Sequence, residues 1–167
     1  MVVLFFIGEM TMQTSKRGVD LIKQFESCKL VAYPDPKTGG DPWTVGWGAT
    51  GRGIGRGTIW EQSQADQRLA VDIAEREAIV SANVTVPMTQ GQFDAMVSIV
   101  FNVGAGSASR DGIIRLKDGR PSTLLRKLNA GDYEGASLAF DSWVSPGSNV
   151  EKGLRRRRAA ERAVFES

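Results

Sequence analysis

Glu26 and Asp35 are two carboxylates nine residues apart in the stretch FESCKLVAYPDPKTGGDPWTVGWGAT, residues 25–50. Their surroundings differ. Leu21, Ile22, Phe25 and Leu30 neighbour Glu26, which falls near the C-terminal end of a helical segment. The unpaired carbonyls at such an end carry partial negative charge and disfavour a second one. Apolar neighbours act the same way, so both favour the protonated acid that general-acid chemistry needs at neutral pH. Asp35 lies between Pro34 and Pro36, in a turn that leaves it wet and ionised. One protonated and one ionised carboxyl form the working pair of glycoside hydrolysis. Thr44 opens the strand-like run after this turn, and its hydroxyl can orient a water between Asp35 and a sugar ring. Each feature also has a plainer reading. Most carboxylate pairs are solvated surface, and threonine is a common strand former.

Composition narrows the chemistry further. The chain of 167 residues contains no histidine, which removes Ser-His-Asp and Cys-His catalysis and every histidine-ligated metal site. Cys28 is the single cysteine, so an internal disulfide and a thiolate zinc cluster are excluded. Carboxylates, hydroxyls, lysine or arginine must carry any reaction, and no cofactor or metal is expected. With 41% apolar residues the chain is long enough for one globular domain with its own core. The formal net charge of +2 is unevenly spread, with Arg155, Arg156, Arg157 and Arg158 in one block. That block favours anionic partners such as an acidic wall polymer. The opening MVVLFFIGEM is apolar but, at about eight residues, far short of the roughly twenty that span a bilayer. It also lacks the basic start and small-residue cleavage site of an export signal. Residues 1–14 therefore read as an extension of the domain without stable membrane insertion.

Local patterns place these groups on elements. Ser15 is an N-cap for a helix over 16–28 that ends at the Glu26 region. Prolines and glycines then punctuate 29–57, a β-hairpin or three-stranded lobe with alternation over 43–47. The run GRGIGRG has no βαβ setting and reads as a rim loop, so neither a dinucleotide nor nucleic acid is an expected partner. Thr58 and Glu61 have capping-box spacing before a largely polar helix over 59–82, suited to connecting two lobes. A second box, Thr89 and Gln92, opens the most apolar helix, whose Phe93, Met96, Val97 and Val100 form the main core stripe. Helices over 122–128, 132–143 and 151–165 follow. The expected fold class is α+β, with lobes over 15–58 and 83–167 and a cleft between them.

Other residues divide between packing and binding. Trp60 and Trp143 are expected in the core, whereas Trp47 among glycines offers an aromatic face to a sugar. The four arginines spread around a helix, so most should be solvated or paired with Glu151 and Glu161, with one or two reaching the cleft. Cys28 reads as a half-buried packing thiol.

Five segments together resemble the phage-type lysozymes, endolysins that cleave peptidoglycan: FESCKLVAYPD, WTVGWGAT, TQGQFDAMVSIVFNVG, STLLRKLNAGDY and GLRRRRAAER. They occur in that family's order and cover residues 15–167. The resemblance implies a muramidase that hydrolyses the β-1,4 bond between N-acetylmuramic acid and N-acetylglucosamine, by inversion. It implies Glu26 as the acid, Asp35 as the group that holds or activates water, and Thr44 as its partner. Asn102 matches the family's polar cleft residue before a helix-ending glycine, and one of Arg155–Arg158, taken as Arg155 with the register left open, matches the cleft arginine of the last helix. The loop from Asp35 to Thr44 is longer than the shortest family pattern, so Thr38 or Asp41 could share those roles. Ala49 stands where many relatives have a structural histidine. Without a convincing export signal the chain is expected to accumulate in the host cytoplasm, as a monomer, and to reach the cell wall through a membrane lesion. A lytic transglycosylase and a non-catalytic module for anionic polymers are the alternatives.

Overall fold

The computed structural model describes residues 11–167, and the apolar run over 1–10 lies outside the described residues. Helix α1 spans Lys16–Phe25, strands β1 and β2 span Lys29–Tyr33 and Thr44–Gly46, and the long helix α2 spans Gln62–Asn83. Helices α3 (Gln90–Val103), α4 (Thr123–Asn129), α5 (Tyr133–Ala139) and α6 (Glu151–Phe165) complete the chain. A 3₁₀ turn, Phe140–Ser142, follows α5, where one helix through 143 was expected.

Helix α1 starts as the sequence suggests. The Ser15 hydroxyl accepts from the Gly18 amide. The helix stops earlier than expected because Glu26 turns extended (ψ 126°) to launch β1. The first helical residues are also tied to α3: buried Asp94 accepts from the Ser15 amide (2.9 Å), the Ser15 hydroxyl (2.5 Å) and the Gln90 side chain (2.8 Å). Residues 13 and 14 are anchored too, since Gln90 donates to the Gln13 carbonyl and the Thr14 amide donates to Glu77. Gly18 allows this close docking. A methyl group there would stand 2.5 Å from Thr14 Cγ2 and 2.7 Å from Asp94 Cγ. Gly18→Ala is accordingly expected to cost about 1–3 kcal/mol, as overpacking does, visible as a lower melting temperature.

Strands β1 and β2 pair antiparallel, with Lys29 opposite Gly46 and Tyr33 opposite Thr44 and an irregularity between. Residues 58–60 flank the other edge of β1: the Ala32 amide donates to the Thr58 carbonyl and the Trp60 amide to the Leu30 carbonyl. That pairing explains why α2 begins at Gln62 rather than 59. The capping box is Glu61 with Gln64, while the Thr58 hydroxyl accepts from the Gly55 amide. Strand β2 is shorter than the expected 43–47, because Gly46 adopts φ +64° and turns the chain.

Helix α3 is the centre of the helical lobe. Its residues Phe93 to Val100 are all buried, a helix enclosed on every side. Thr89 and Gln92 cap it reciprocally, and the amide of Gly104 closes its end on the Val100 carbonyl. Around it pack α1, α2 and α6, with Ile22, Leu69, Ile73, Val80, Leu124, Leu128, Phe140 and Phe165 filling the core. Phe140 and Phe165 meet edge to face, with centroids 5.5 Å apart. Trp60 and Trp143 are only half-buried, so the expectation that both are core is not met. Helix α2 is too polar to be enclosed, and only Ala65, Leu69, Ile73 and Val80 on one stripe are buried.

Candidate active site

Glu26 is the C-cap residue of α1, where the chain leaves the helix for β1. Its setting differs from the apolar one that its sequence neighbours suggest. Buried Arg157 on α6 donates from Nη1 to Glu26 Oε1 at 2.6 Å, and its guanidinium carbon lies 5.7 Å from the Phe25 ring centre. The two residues are 131 positions apart, so no local pattern announces this pair. Gly48 approaches from the β-lobe: a Cβ built there would lie 3.8 Å from Glu26 Oε2, and its φ of +96° suits glycine. Arginine thus holds Oε1, and Gly48 lies on the side of Oε2. Glu26, Asn102, Val150, Leu154, Arg156 and Arg157 line a groove of about 330 Å³ there. Asn102 and Leu154 also border a second hollow of about 410 Å³ with Arg110, Trp143 and Ser145, extending the groove along the helical lobe.

Arg157 belongs to a buried cluster. Its Nε donates to Glu161 (3.1 Å), which also accepts from the Ser98 hydroxyl (2.7 Å). Arg158 lies fully buried beside it, with Nη1 3.1 Å from Glu161 Oε2, and donates to Asn102 Oδ1. Burial pushes the Glu161 carboxyl upward, opposed by Arg158, Arg157 and the Ser98 hydroxyl. Burial also lowers Arg158 against the attraction of Glu161.

Asp35 and Thr44 both lie at the loop end of the hairpin, outside the residues that line the groove at Glu26. Tyr33 pairs with Thr44, and Asp35 follows two residues later. Asp35 Oδ1 accepts from the amides of Lys37 (2.7 Å) and Thr38 (3.2 Å), an Asx turn that fixes the orientation of the side chain. Thr44 is half-buried and two residues from Gly46, about 7 Å along a strand. The hairpin therefore carries this pair on the same lobe as Gly48, the residue that meets Glu26. Thr38 and Asp41 are exposed and bonded to each other, Thr38 Oγ1 donating to the Asp41 carbonyl at 2.8 Å. They brace the loop.

Two expectations need correction. Arg155 is not the cleft arginine: it is exposed and forks onto Glu151 at 2.8 and 2.6 Å. Helical rotation of about 100° per residue turns Arg157 inward where Arg155 turns out. Trp47 is not free to stack on a sugar. Its indole N–H donates to Asp66 on α2 at 2.8 Å, Lys23 covers the ring at 5.0 Å, and the ring packs on the core. The indole N–H, then Lys23, hold the Asp66 carboxyl below its usual value. Ser98 is the site residue that sequence reasoning did not single out; Arg157, Arg158 and Glu161 were anticipated only as members of the arginine block and its acid partners, without the register that turns two of the four arginines inward. Arg155→Ala is expected to leave cell-wall clearing and melting temperature near wild type, within about 0.5 kcal/mol in stability. Arg157→Lys should lower the clearing rate markedly, because lysine cannot fork between two carboxylates.

Among the described residues no cluster of histidine, cysteine, aspartate or glutamate is arranged to hold a metal ion. No described helix is long and apolar enough to cross a membrane.

Residues 23–161 match the protein family described as Phage lysozyme. The endolysin of Acyrthosiphon pisum secondary endosymbiont phage 1 is 39% identical over 160 residues, 93% of this chain and 99% of the relative. The endolysin of Bacillus phage PZA is 36% identical over 156 residues, and there the chain spans 56% of the relative's length. Among solved structures, the muramidase domain of SpmX from Asticaccaulis excentricus superposes with a TM-score of 0.74 at 32% identity, covering 93% of this chain and 98% of that one. An endolysin from the Escherichia coli O157:H7 phage FAHEc1 gives the same TM-score and identity, covering 92% and 93%.

Proposed function

The chain belongs to the phage lysozyme family and is an endolysin-type glycoside hydrolase, and we propose that Glu26 is its general acid, with Asp35 and Thr44 directing the attacking water. The substrate is the peptidoglycan of bacterial cell walls, and the bond cut is the β-1,4 link from N-acetylmuramic acid to N-acetylglucosamine. The observation that carries the assignment is the position of Glu26, a carboxyl at the junction of the lobes and lining the groove, with one oxygen held by Arg157. Because Arg157 occupies Oε1, Oε2 is the oxygen that carries and delivers the proton to the glycosidic oxygen. Asp35, fixed by two backbone amides through one oxygen, keeps the other for a water that Thr44 helps to orient. Asn102, held by Arg158, offers its amide group to the sugar chain from the helical lobe. The active form is a monomer that accumulates in the host cytoplasm until the membrane is breached.

Mass spectrometry of digested peptidoglycan tests the reaction. Reducing N-acetylmuramic acid ends are expected. Anhydro ends would replace hydrolysis with transglycosylation, and undigested wall that still binds the protein would replace catalysis altogether. If wall binding were the whole function, it would weaken steeply with salt, as counterion release from polyanions requires.

A further inference from the structure

Arg157 has two carboxylates to serve. Its Nη1 donates to Glu26 at 2.6 Å and its Nε to Glu161 at 3.1 Å, while Nη2 lies 3.5 Å from the Ser98 carbonyl. Glu161 is fully buried and lies outside the groove lining, so it does not meet substrate. Its Oε1 takes the Ser98 hydroxyl as well as Arg157, and its Oε2 has only the charge of Arg158 nearby, without a hydrogen bond. A buried carboxylate with so few donors leans on its cations. The hold of Arg157 on Glu26 is therefore what remains after Glu161 has taken its share.

We propose that Glu161 is a positioning residue for Glu26, acting through the shared Arg157 guanidinium to set how firmly that arginine holds the acid. The proposal rests on the reading of Glu26 as the acid. Among the described residues few other charges compete, the main one being Asp35, the carboxylate that the proposed mechanism sets opposite Glu26 from the hairpin. Arg156 lines the groove beside Glu26 from α6, and α3 presents only uncharged Ser98 and Asn102. On α1 itself Lys23 is turned to Asp66. Further along α6, Arg162 pairs with Asp141 and Glu166, away from the cluster. Arg158 divides between Glu161 and Asn102.

Opposite changes should follow from two substitutions. Glu161→Gln keeps the shape but removes a negative charge from Arg157, whose full field then falls on Glu26 and favours its carboxylate. The midpoint of Glu26 titration should fall by about one pH unit, the low end of what one neighbouring charge does, and the alkaline limb of the kcat profile should fall with it. Ser98→Ala strips a donor from Glu161, which then draws harder on Arg157, and both quantities should rise by a few tenths of a pH unit.

The experiment records carbon-13 titration of glutamate carboxyls in the full chain, with Glu26 identified by its loss in Glu26→Gln, beside pH profiles of kcat on purified cell walls. Shifts of opposite sign establish the shared hold; a merely structural role would lower activity at every pH without moving the midpoint. Unmoved midpoints, or shifts in one direction for both variants, overturn the proposal. If Glu161→Gln melts below the assay temperature, Ser98→Ala decides alone, an upward midpoint supporting and an unmoved one refuting. If the Glu26 midpoint moves while the kcat limb stays in place, the coupling stands and the assignment of Glu26 as the acid falls.

Discussion

Replacing Glu26 by Gln should slow cell-wall hydrolysis by about 10²–10⁴-fold, the range expected when a general acid is removed. Glutamine keeps the size of the side chain, and its Oε1 can still accept from Arg157 Nη1, so the groove and the cluster behind it should persist. What disappears is the capacity of the second oxygen, next to Gly48, to serve as the proton donor that the proposed mechanism requires. The loss should therefore appear in kcat rather than in KM, and melting should change little for a side chain that is 23% exposed. Wall clearing within a few-fold of wild type would remove Glu26 from the mechanism.

The largest stability effect is expected from Arg158→Met. Arg158 has no exposed side-chain surface, and Glu161, its partner, has none either. Methionine fills much of the same space but leaves Glu161 with a single cation and Asn102 Oδ1 without its donor. Breaking a buried ion pair from one side costs about 3–5 kcal/mol, mostly because the remaining charge stays buried and uncompensated. For a domain of this size that corresponds to a melting temperature lower by on the order of 10 °C. The accompanying change Glu161→Leu should recover part of the loss, since replacing both partners by apolar groups is often neutral. Unchanged melting of the single variant would mean that the cluster is already paired by water or relaxes freely.

These two variants divide the site into its parts. In the proposed mechanism Glu26 performs the chemistry and contributes little to the fold, whereas Arg158 supports the fold and touches the groove through Asn102. Arg157 does both, touching the acid on one side and the buried acid Glu161 on the other. An arginine is suited to this because its planar fork serves two carboxylates in fixed directions.

Sequence alone determined what depends on near neighbours. The caps at Ser15 and Thr89, the apolar stripe of Phe93, Met96, Val97 and Val100 and the turn at Asp35 all rest on residues within two helical turns of one another, and each is formed in the structure. The place of Glu26 at the end of the first helix belongs here too, because a helix stop before an extended run is a local event. Tertiary structure decided everything that joins distant segments. It gave residues 58–60 to the edge of β1 and so delayed α2, turned Trp47 inward to Asp66, and selected Arg157 rather than Arg155 as the partner of Glu26. The physical reason is rotational phase. Four consecutive arginines share one chemistry and one propensity, and only the docking of α6 against α3 and α1 turns two of them into a low-dielectric interior, where unpaired charge is costly, and leaves the other two outside.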